Sequence, residues 1–254
     1  QWNRVQFTPD VLPSDLTGFS IYRRDTQQFE YQEGAVFCNL LLADELNRTS
    51  PKTQSALLEV MEEQQVTVDR ETRKVPSPFF VIATQNPSGA AGTQPLPPAQ
   101  IDRFMVSMSL GYPDLENEIA MAKGETVGKN KGKIQQKADI PAFREMQQQA
   151  EQVYIDDDLY EYIVKLISAT RESPYLEYGA SPRGTIALVR MAKAAAWLRG
   201  RDFVVPEDVK EQFPYVVRHR MILNGKARID GISKEQMITS VLQSIRMPEI
   251  GRKR

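Results

Sequence analysis

Two adjacent carboxylates, Asp44 and Glu45, close an apolar run and are the residues of this chain best placed for chemistry. The run carries Val36, Phe37 and residues 40–42 without polar alternation, which is typical of a strand buried on both faces of a parallel sheet. Ligands of open α/β sheets bind at the carboxyl ends of the strands. There, Asp44 would hold Mg²⁺, usually through water, and Glu45 would orient or deprotonate an attacking water. A strand that runs into a solvated acidic turn is the alternative interpretation.

The residues after this pair predict a strand-helix-strand unit. Ser50-Pro51 is suited to cap and begin a helix, and an apolar stripe continues over residues 52–63. A second apolar strand is predicted over residues 79–84, and it ends in Gln85-Asn86-Pro87. Because both strands of such a unit end at one edge of the sheet, Asn86 is expected beside the two carboxylates. An Asn before a Pro is otherwise typical of a turn.

Length and composition exclude several classes of protein. The 254 residues suffice for one large domain or for a core with a smaller second domain. The 32 basic and 33 acidic residues balance, so charge gives no reason to expect nucleic acid or a membrane as partner. The single Cys38 suits a reducing cytoplasm and is expected in the core, and the single His219 has no metal-ligating neighbour in the sequence. No run resembles a membrane span or signal peptide, so we expect a cytoplasmic protein.

The remaining pattern predicts an α/β part followed by a helical part. Two hairpins are expected within residues 19–31 and 66–75, a Pro-rich loop over 87–99, a short helix over 100–104, a strand over 105–110 and a helix over 114–123. Helices are then expected over 141–152, 157–172, 182–199, 206–218 and 233–245, with a short extended piece over 203–205. We therefore predict a domain over residues 1–124, a polar linker over 125–137 and a second domain over 138–254.

Four stretches carry a family resemblance, and they occur in order: LLLADELNRTSPKTQSALLEVMEE, VIATQNP, PLPPAQIDRF and GASPRGTIALVR. With these stretches the chain resembles the MoxR family of AAA+ ATPases. The resemblance implies a parallel-sheet nucleotide-binding core followed by a small all-helical lid, with ATP and Mg²⁺ as cofactors. It also implies that Asp44 and Glu45 are the Walker B pair, Asn86 is sensor 1, Arg103 is the arginine finger and Arg183 is sensor 2.

Each implied role corresponds to a step of phosphoryl transfer, in which positioning and charge neutralisation matter most. Asn86 would hydrogen-bond the attacking water or the γ-phosphate. Arg103 would reach the γ-phosphate bound to a neighbouring subunit, although an isolated Arg is more often a surface ion pair. Arg183 is expected in the first turn of a helix, where the dipole disfavours a cation unless a phosphate faces it.

The phosphate-cradling motif G-x-x-x-x-G-K-[ST] is not found in this sequence. Residues 124–130 come nearest, but they are one residue short between the glycines and have Asn130 where a hydroxyl is required. The chain begins with Gln1 rather than Met. We therefore expect a piece of a longer protein, and the resemblance to the MoxR family implies that the phosphate loop precedes this region. We expect these 254 residues alone to be inactive.

The resemblance leads to a functional hypothesis with two alternatives. The complete protein would hydrolyse Mg-ATP in a homo-oligomeric, hexameric ring and drive chaperone-like maturation or remodelling of partner complexes, among them proteins with von Willebrand A domains. The first alternative is a nucleotide-responsive scaffold or a degenerate subunit without catalysis. The second, a transcription-activating AAA+ protein, is disfavoured because residues 10–33 contain no GAFTGA-like loop and no helix-turn-helix follows.

Overall fold

The computed structural model describes residues 1–86, 93–124 and 135–249. The chain forms two compact units, Gln1–Phe104 and Met105–Arg254. The predicted linker over residues 125–137 lies largely outside the described residues, so it remains a prediction. Among the helices of the described ranges, none combines the length and the apolar character needed to cross a bilayer.

The first unit is built on a small parallel sheet. Its elements are β1 (Trp2–Gln6), α1 (Pro13–Thr17), β2 (Phe19–Arg23), β3 (Gln28–Gln32), β4 (Leu40–Asp44), a 3₁₀ turn (Leu46–Arg48), α2 (Pro51–Glu63), β5 (Gln65–Val68), β6 (Glu71–Lys74), β7 (Phe80–Ala83) and α3 (Pro98–Ile101). Strand β4 pairs in parallel with β1 on one side and with β7 on the other, which confirms the predicted strand-helix-strand unit.

One face of this sheet is buried and the other is partly open, so the prediction of a strand buried on both faces was wrong. Leu41 and Ala43 of β4 are fully buried, whereas Leu40 is 37% exposed. On β7 the exposed face carries Phe80 and Ile82. Side chains alternate across a strand, and the described elements of this unit bury only one of the two sets. Val36 and Phe37 are buried, but they lie in the turn before β4.

Helix α2 begins where the sequence predicts. The side chain of Ser50 accepts a hydrogen bond from the Thr53 N–H, and Pro51 is the first helical residue. Leu57 and Val60 of the predicted apolar stripe are buried, together with Leu58. The helix therefore connects β4 to the β5–β6 hairpin while covering the buried face of the core.

Both predicted hairpins are present as antiparallel pairs, β2 with β3 and β5 with β6. The tip of the second hairpin places Asp69 and Arg70 at positive φ, where the chain must reverse within two residues. The short helix predicted over residues 100–104 is instead α3, so Asp102 and Arg103 follow it rather than lying within it. Of the predicted loop over 87–99, residues 87–92 lie outside the described residues.

The second unit is mainly helical. Its helices agree with the predicted ones to within one residue at most ends, and four of them, over residues 157–172, 182–198, 206–217 and 234–244, supply most of one buried apolar cluster. Its elements are α4 (Leu115–Ala122), α5 (Ile140–Gln152), α6 (Asp157–Glu172), β8 (Leu176–Tyr178), α7 (Pro182–Leu198), α8 (Pro206–Val217), β9 (Ile222–Leu223), α9 (Gly225–Ile229) and α10 (Lys234–Ser244).

Two predictions in this unit were wrong. The stretch over residues 105–110 forms no strand, because Met108 and Leu110 are largely exposed and the Ser107 N–H bonds to the Tyr215 carbonyl instead of a neighbouring strand. The pattern was also expected to be entirely helical, yet β8 and β9 pair antiparallel and α9 follows them. These elements are too short to show a periodicity in sequence.

A buried carboxylate ties the end of α7 to the start of α8. Asp208 is fully buried and accepts hydrogen bonds from Arg199 at 2.7 Å and from Arg201 at 2.6 and 2.8 Å. It also accepts the backbone N–H of Val205 at 3.0 Å, so it satisfies one of the otherwise unpaired amides at the start of α8. The burial of a charge is tolerated here because two cations and an amide surround it.

Candidate functional site

Thr84 links the ends of two parallel strands. Ala43 of β4 is paired with Ala83 of β7, so the residues that follow them meet at one edge of the sheet. The Thr84 hydroxyl donates to Asp44 Oδ1 at 2.5 Å and accepts the backbone N–H of Glu45 at 2.8 Å. One hydroxyl therefore fixes both carboxylate residues relative to β7.

Asp44 has a second partner from the other neighbouring strand. Arg4 on β1 donates to Asp44 Oδ2 at 2.7 Å, and the Asp44 side chain remains 24% exposed. The hydrogen bond from Arg4, and after it that from Thr84, holds the pKa of Asp44 below its ordinary value. Asp44 is therefore a carboxylate at neutral pH that is open to solvent on one side.

Glu45 adopts a backbone conformation that few residues other than glycine adopt. Its φ is +55° and its ψ is +45°, in the left-handed region, where a residue with a Cβ is strained. The Thr84 hydroxyl binds its N–H, and the next amide, that of Leu46, donates to the Thr84 carbonyl at 2.9 Å. Strain that is held by specific contacts at a strand end is characteristic of functional sites.

The Glu45 carboxylate is ionised and has polar partners. Arg48 donates to Glu45 Oε2 at 2.7 Å, and the side chain of Asn86 lies close enough to the same carboxylate to lower its pKa. The contact with Arg48, and after it that with Asn86, lowers the pKa of Glu45. One quarter of the side chain is exposed, so a water can reach this carboxylate. The structure thus brings Asp44, Glu45 and Asn86 together, as the strand pattern predicted.

Four residues of this cluster were missed by sequence reasoning: Arg4, Arg48, Thr84 and Asn47, whose side chain binds the Asn86 backbone. Arg4 could have been found from the parallel register, which sets the end of β1 beside the end of β4. Thr84 and Arg48 flank the predicted strand ends, where polar side chains are candidates by position. Asn47 gives no such signal, because a buried amide cannot be distinguished in sequence from an exposed turn residue.

Arg103 lies away from this cluster within the first unit. Its Nε is 3.1 Å from Glu62 Oε2, near the C-terminal end of α2. Helix α2 begins just beyond the cluster, and at 1.5 Å per residue Glu62 is about 16 Å along the axis from Pro51. The side chain is 30% exposed. The ion pair of Arg103 is therefore formed near the end of α2 remote from Glu45 of the same chain.

Arg183 belongs to the second unit, in the first turn of α7. Ser181 caps this helix as predicted and accepts the backbone N–H of Arg183 at 3.0 Å. The first turn contains no acidic residue. An anion would complement the dipole of this helix end, and the assignment of Arg183 to that anion remains a prediction.

The chemistry of Asp44 fits an octahedral Mg²⁺ held through water. Mg²⁺ usually keeps several waters and is bound through one or two carboxylates together with substrate phosphates. A carboxylate has about four lone-pair directions, so Asp44 can accept a metal-bound water while it retains its present partners. Within the described ranges no group of three or more metal-ligating side chains occurs.

Two family models match the chain: one covers the first unit, and the other covers about half of the second unit. The model described as the ATPase family associated with various cellular activities (AAA) matches residues 1–106, and the AAA lid domain matches residues 168–241. The first match falls on the mixed α/β unit with the parallel sheet, and the second falls within the mainly helical unit. The fold and the matches together define an AAA+ ATPase core with its lid.

Comparison with individual relatives identifies one family within the AAA+ class. The uncharacterised protein YeaC of Bacillus subtilis is 44% identical over 97% of this chain and 77% of its own length. The chaperone MoxR1 of Mycobacterium tuberculosis is 40% identical over 98% of this chain and 68% of its own length. A crystal structure of a presumed ATPase from Cytophaga hutchinsonii superposes with a TM-score of 0.88 at 42% identity, covering 98% of this chain and 78% of that one. The chain belongs to the MoxR family of AAA+ ATPases.

Proposed function

We propose that the full-length protein hydrolyses Mg-ATP at the edge of the sheet formed by the ends of β4 and β7. The observation that carries this proposal is the joint placement of Asp44, Glu45 and Asn86, with Thr84 connecting the two strands. Two ionised carboxylates and an amide at the carboxyl edge of a parallel sheet are the groups that ATP hydrolysis requires there. Membership of an ATPase family supports the same conclusion.

In this proposal each residue has a distinct task. Glu45 accepts a proton from the attacking water, or orients that water, and its lowered pKa keeps it in the basic form. Asn86 hydrogen-bonds the water or the γ-phosphate. Asp44 holds Mg²⁺ through water, and the metal when bound neutralises charge that develops on the phosphate oxygens.

Arg48 and Arg4 set the resting state of the two carboxylates. Arg48 occupies one oxygen of Glu45, so a water must share the carboxylate with it or displace it. Arg4 similarly occupies one oxygen of Asp44. Both pairs are partly exposed, and such pairs are weak enough to exchange when a nucleotide binds.

Arg103 would act on the nucleotide of an adjacent subunit in a hexameric ring. Its ion pair with Glu62, near the far end of α2, supports an action in trans, because the helix separates that end from Glu45 of the same chain. Arg183 on the lid would contact the nucleotide phosphates as sensor 2. The phosphate loop is not among these 254 residues, so we expect this chain by itself to bind ATP poorly.

The work done with ATP would be the maturation or remodelling of a partner complex. The relative named as a chaperone supports this class of function. A partner with a von Willebrand A domain remains a proposal that follows from the family resemblance. A nucleotide-responsive scaffold without hydrolysis is the alternative, and the experiment below separates the two.

Glu45→Gln in the full-length protein should keep ATP binding and lose hydrolysis by about 100-fold or more, because it removes a general base while preserving shape. ATP affinity is measured by calorimetric titration and turnover by phosphate release. Glu33→Gln is the matched control, since Glu33 is an exposed carboxylate outside the cluster and its loss should not change turnover. Turnover of Glu45→Gln at the wild-type rate would refute the proposed site, and absence of turnover in the wild-type protein would favour the scaffold.

A further inference from the structure

Asn47 is a buried polar residue that the mechanism above does not use. It lies in the 3₁₀ turn directly after Glu45, and only 4% of its surface is exposed. Its Nδ2 donates to the Asn86 carbonyl and its Oδ1 accepts the Asn86 N–H, both at 3.1 Å. The two polar atoms of one side chain therefore bind the two polar groups of one peptide residue.

The same residue also holds the chain further along. The Asn47 carbonyl accepts the backbone N–H of Gln94 at 2.7 Å. Three hydrogen bonds thus connect Asn47 to two points of the chain beyond β7. Through them the turn that carries Glu45 and the backbone that carries Asn86 are fixed relative to each other.

The amide is well suited to this task. An Asn side chain supplies both a donor and an acceptor, which an ionised Asp or an Ala at this position cannot do. Without the amide, the N–H and C=O of Asn86 lose their partner in a partly buried place, where an unsatisfied polar group costs free energy. The position of the Asn86 side chain, which contacts Glu45, depends on this backbone.

We propose that Asn47 is a positioning residue for ATP hydrolysis: it holds the backbone of Asn86 so that the Asn86 side chain stays at Glu45. This inference rests on the proposed roles of Glu45 and Asn86. Asn47 itself contacts neither water nor nucleotide in this scheme. Its effect on the rate passes entirely through Asn86, and that property distinguishes it from a residue that only stabilises the turn.

A double-mutant cycle in the full-length protein tests the proposal. Asn47→Ala and Asn86→Ala should each lower kcat for ATP hydrolysis, with KM for ATP changed much less. Loss of outer partners that orient metal ligands lowers activity by about 10–100-fold, and we expect a similar range here. In the Asn86→Ala background, adding Asn47→Ala should change kcat by less than about twofold, because the residue it positions is already absent.

Two further variants control for misfolding. Asn47→Asp keeps the shape and the acceptor for the Asn86 N–H but loses the donor, so it should fold and still lower kcat with ATP affinity retained. Gln54→Ala removes another buried amide nearby, which binds the Thr49 carbonyl and not Asn86, and it should leave kcat near the wild-type value.

If Asn47→Ala and Asn86→Ala lowered kcat independently, so that their effects multiplied in the double variant, the inference would be wrong. Wild-type kcat in both Asn47 variants, or in Asn86→Ala, would do the same. These results leave the proposed hydrolytic site intact as long as Glu45→Gln remains inactive. An active Glu45→Gln would instead show that the proposed function itself is wrong.

Discussion

Replacement of Asp208 by Asn should destabilise the helical unit while leaving its shape nearly unchanged. Asp208 is fully buried, and its carboxylate receives three hydrogen bonds from Arg199 and Arg201 and one from the Val205 N–H. An amide at this position has no charge to balance the two guanidinium groups. The amide nitrogen of the Asn side chain would also point its N–H donors at guanidinium or backbone N–H groups, which are donors themselves.

The size of the expected loss of stability depends on how exposed the two arginine partners of Asp208 are. Removing one partner of a buried ion pair costs about 3–5 kcal/mol when the remaining charge stays buried. Here the side chains of Arg199 and Arg201 are 44% and 24% exposed, so water can partly replace the carboxylate. We therefore expect a loss of about 2–4 kcal/mol in the free energy of unfolding of this unit at neutral pH.

The loss of stability caused by Asp208→Asn should depend on pH in a defined direction. Burial alone would raise the pKa of Asp208, but the hydrogen bonds from Arg201, the Val205 N–H and Arg199 outweigh burial and lower it. A carboxylate whose pKa is lowered in the folded state contributes its full stabilisation of the fold at pH values above its unfolded pKa of about 3.9. This stabilisation is lost as the pH falls through the lower folded pKa, so the difference between wild type and Asp208→Asn should shrink there.

Urea unfolding followed by tryptophan fluorescence measures this difference. The chain has two tryptophans, so a Trp2→Phe background leaves Trp197 on α7 as the reporter of the helical unit. Glu211→Gln is the control, because Glu211 pairs with Arg199 from an exposed position and such pairs contribute about 0–1 kcal/mol. A loss for Asp208→Asn no larger than that of the control would refute this reasoning.

Two predictions concern the carboxylates at the sheet edge. Arg48→Ala should raise the pKa of Glu45, because the contact with Arg48 is the main cause of its lowering. The acidic limb of the kcat/KM profile should then move to higher pH, since the base must be ionised to act; an unmoved limb would argue against Glu45 as the base. Asp44→Asn should raise the Mg²⁺ concentration needed for half-maximal hydrolysis, and an unchanged requirement would exclude Asp44 from holding the metal.

The sequence predicted those elements in which apolar residues recur at regular spacing. Helices α2, α6 and α7 have a long apolar periodicity and a capping residue, so their bounds could be read closely. The strand predicted over residues 105–110 is absent, because an alternation of apolar and polar residues does not by itself supply a neighbouring strand to pair with. The open face of β4 also could not be predicted, since the burial of a strand depends on what packs against it.

At the candidate site, the sequence indicated the residues at strand ends but not their partners. Asp44, Glu45 and Asn86 follow directly from strand termini, where position along the chain determines position in space. Thr84 and Asn47 each act through two side-chain hydrogen bonds, whose partners are about 40 residues away along the chain. Such pairings depend on register and turn conformation, including the left-handed backbone of Glu45.

Mixing two inactive variants tests the central claim most directly, namely that Glu45 of one subunit and Arg103 of another form one hydrolytic site. Arg103→Ala should lose roughly a thousand-fold or more in turnover, and Glu45→Gln should also be nearly inactive. After subunit exchange, some interfaces of a mixed ring pair an intact Glu45 with an intact Arg103, so phosphate release should rise well above that of either variant alone. No rise, with mixed rings shown to form, would contradict the account.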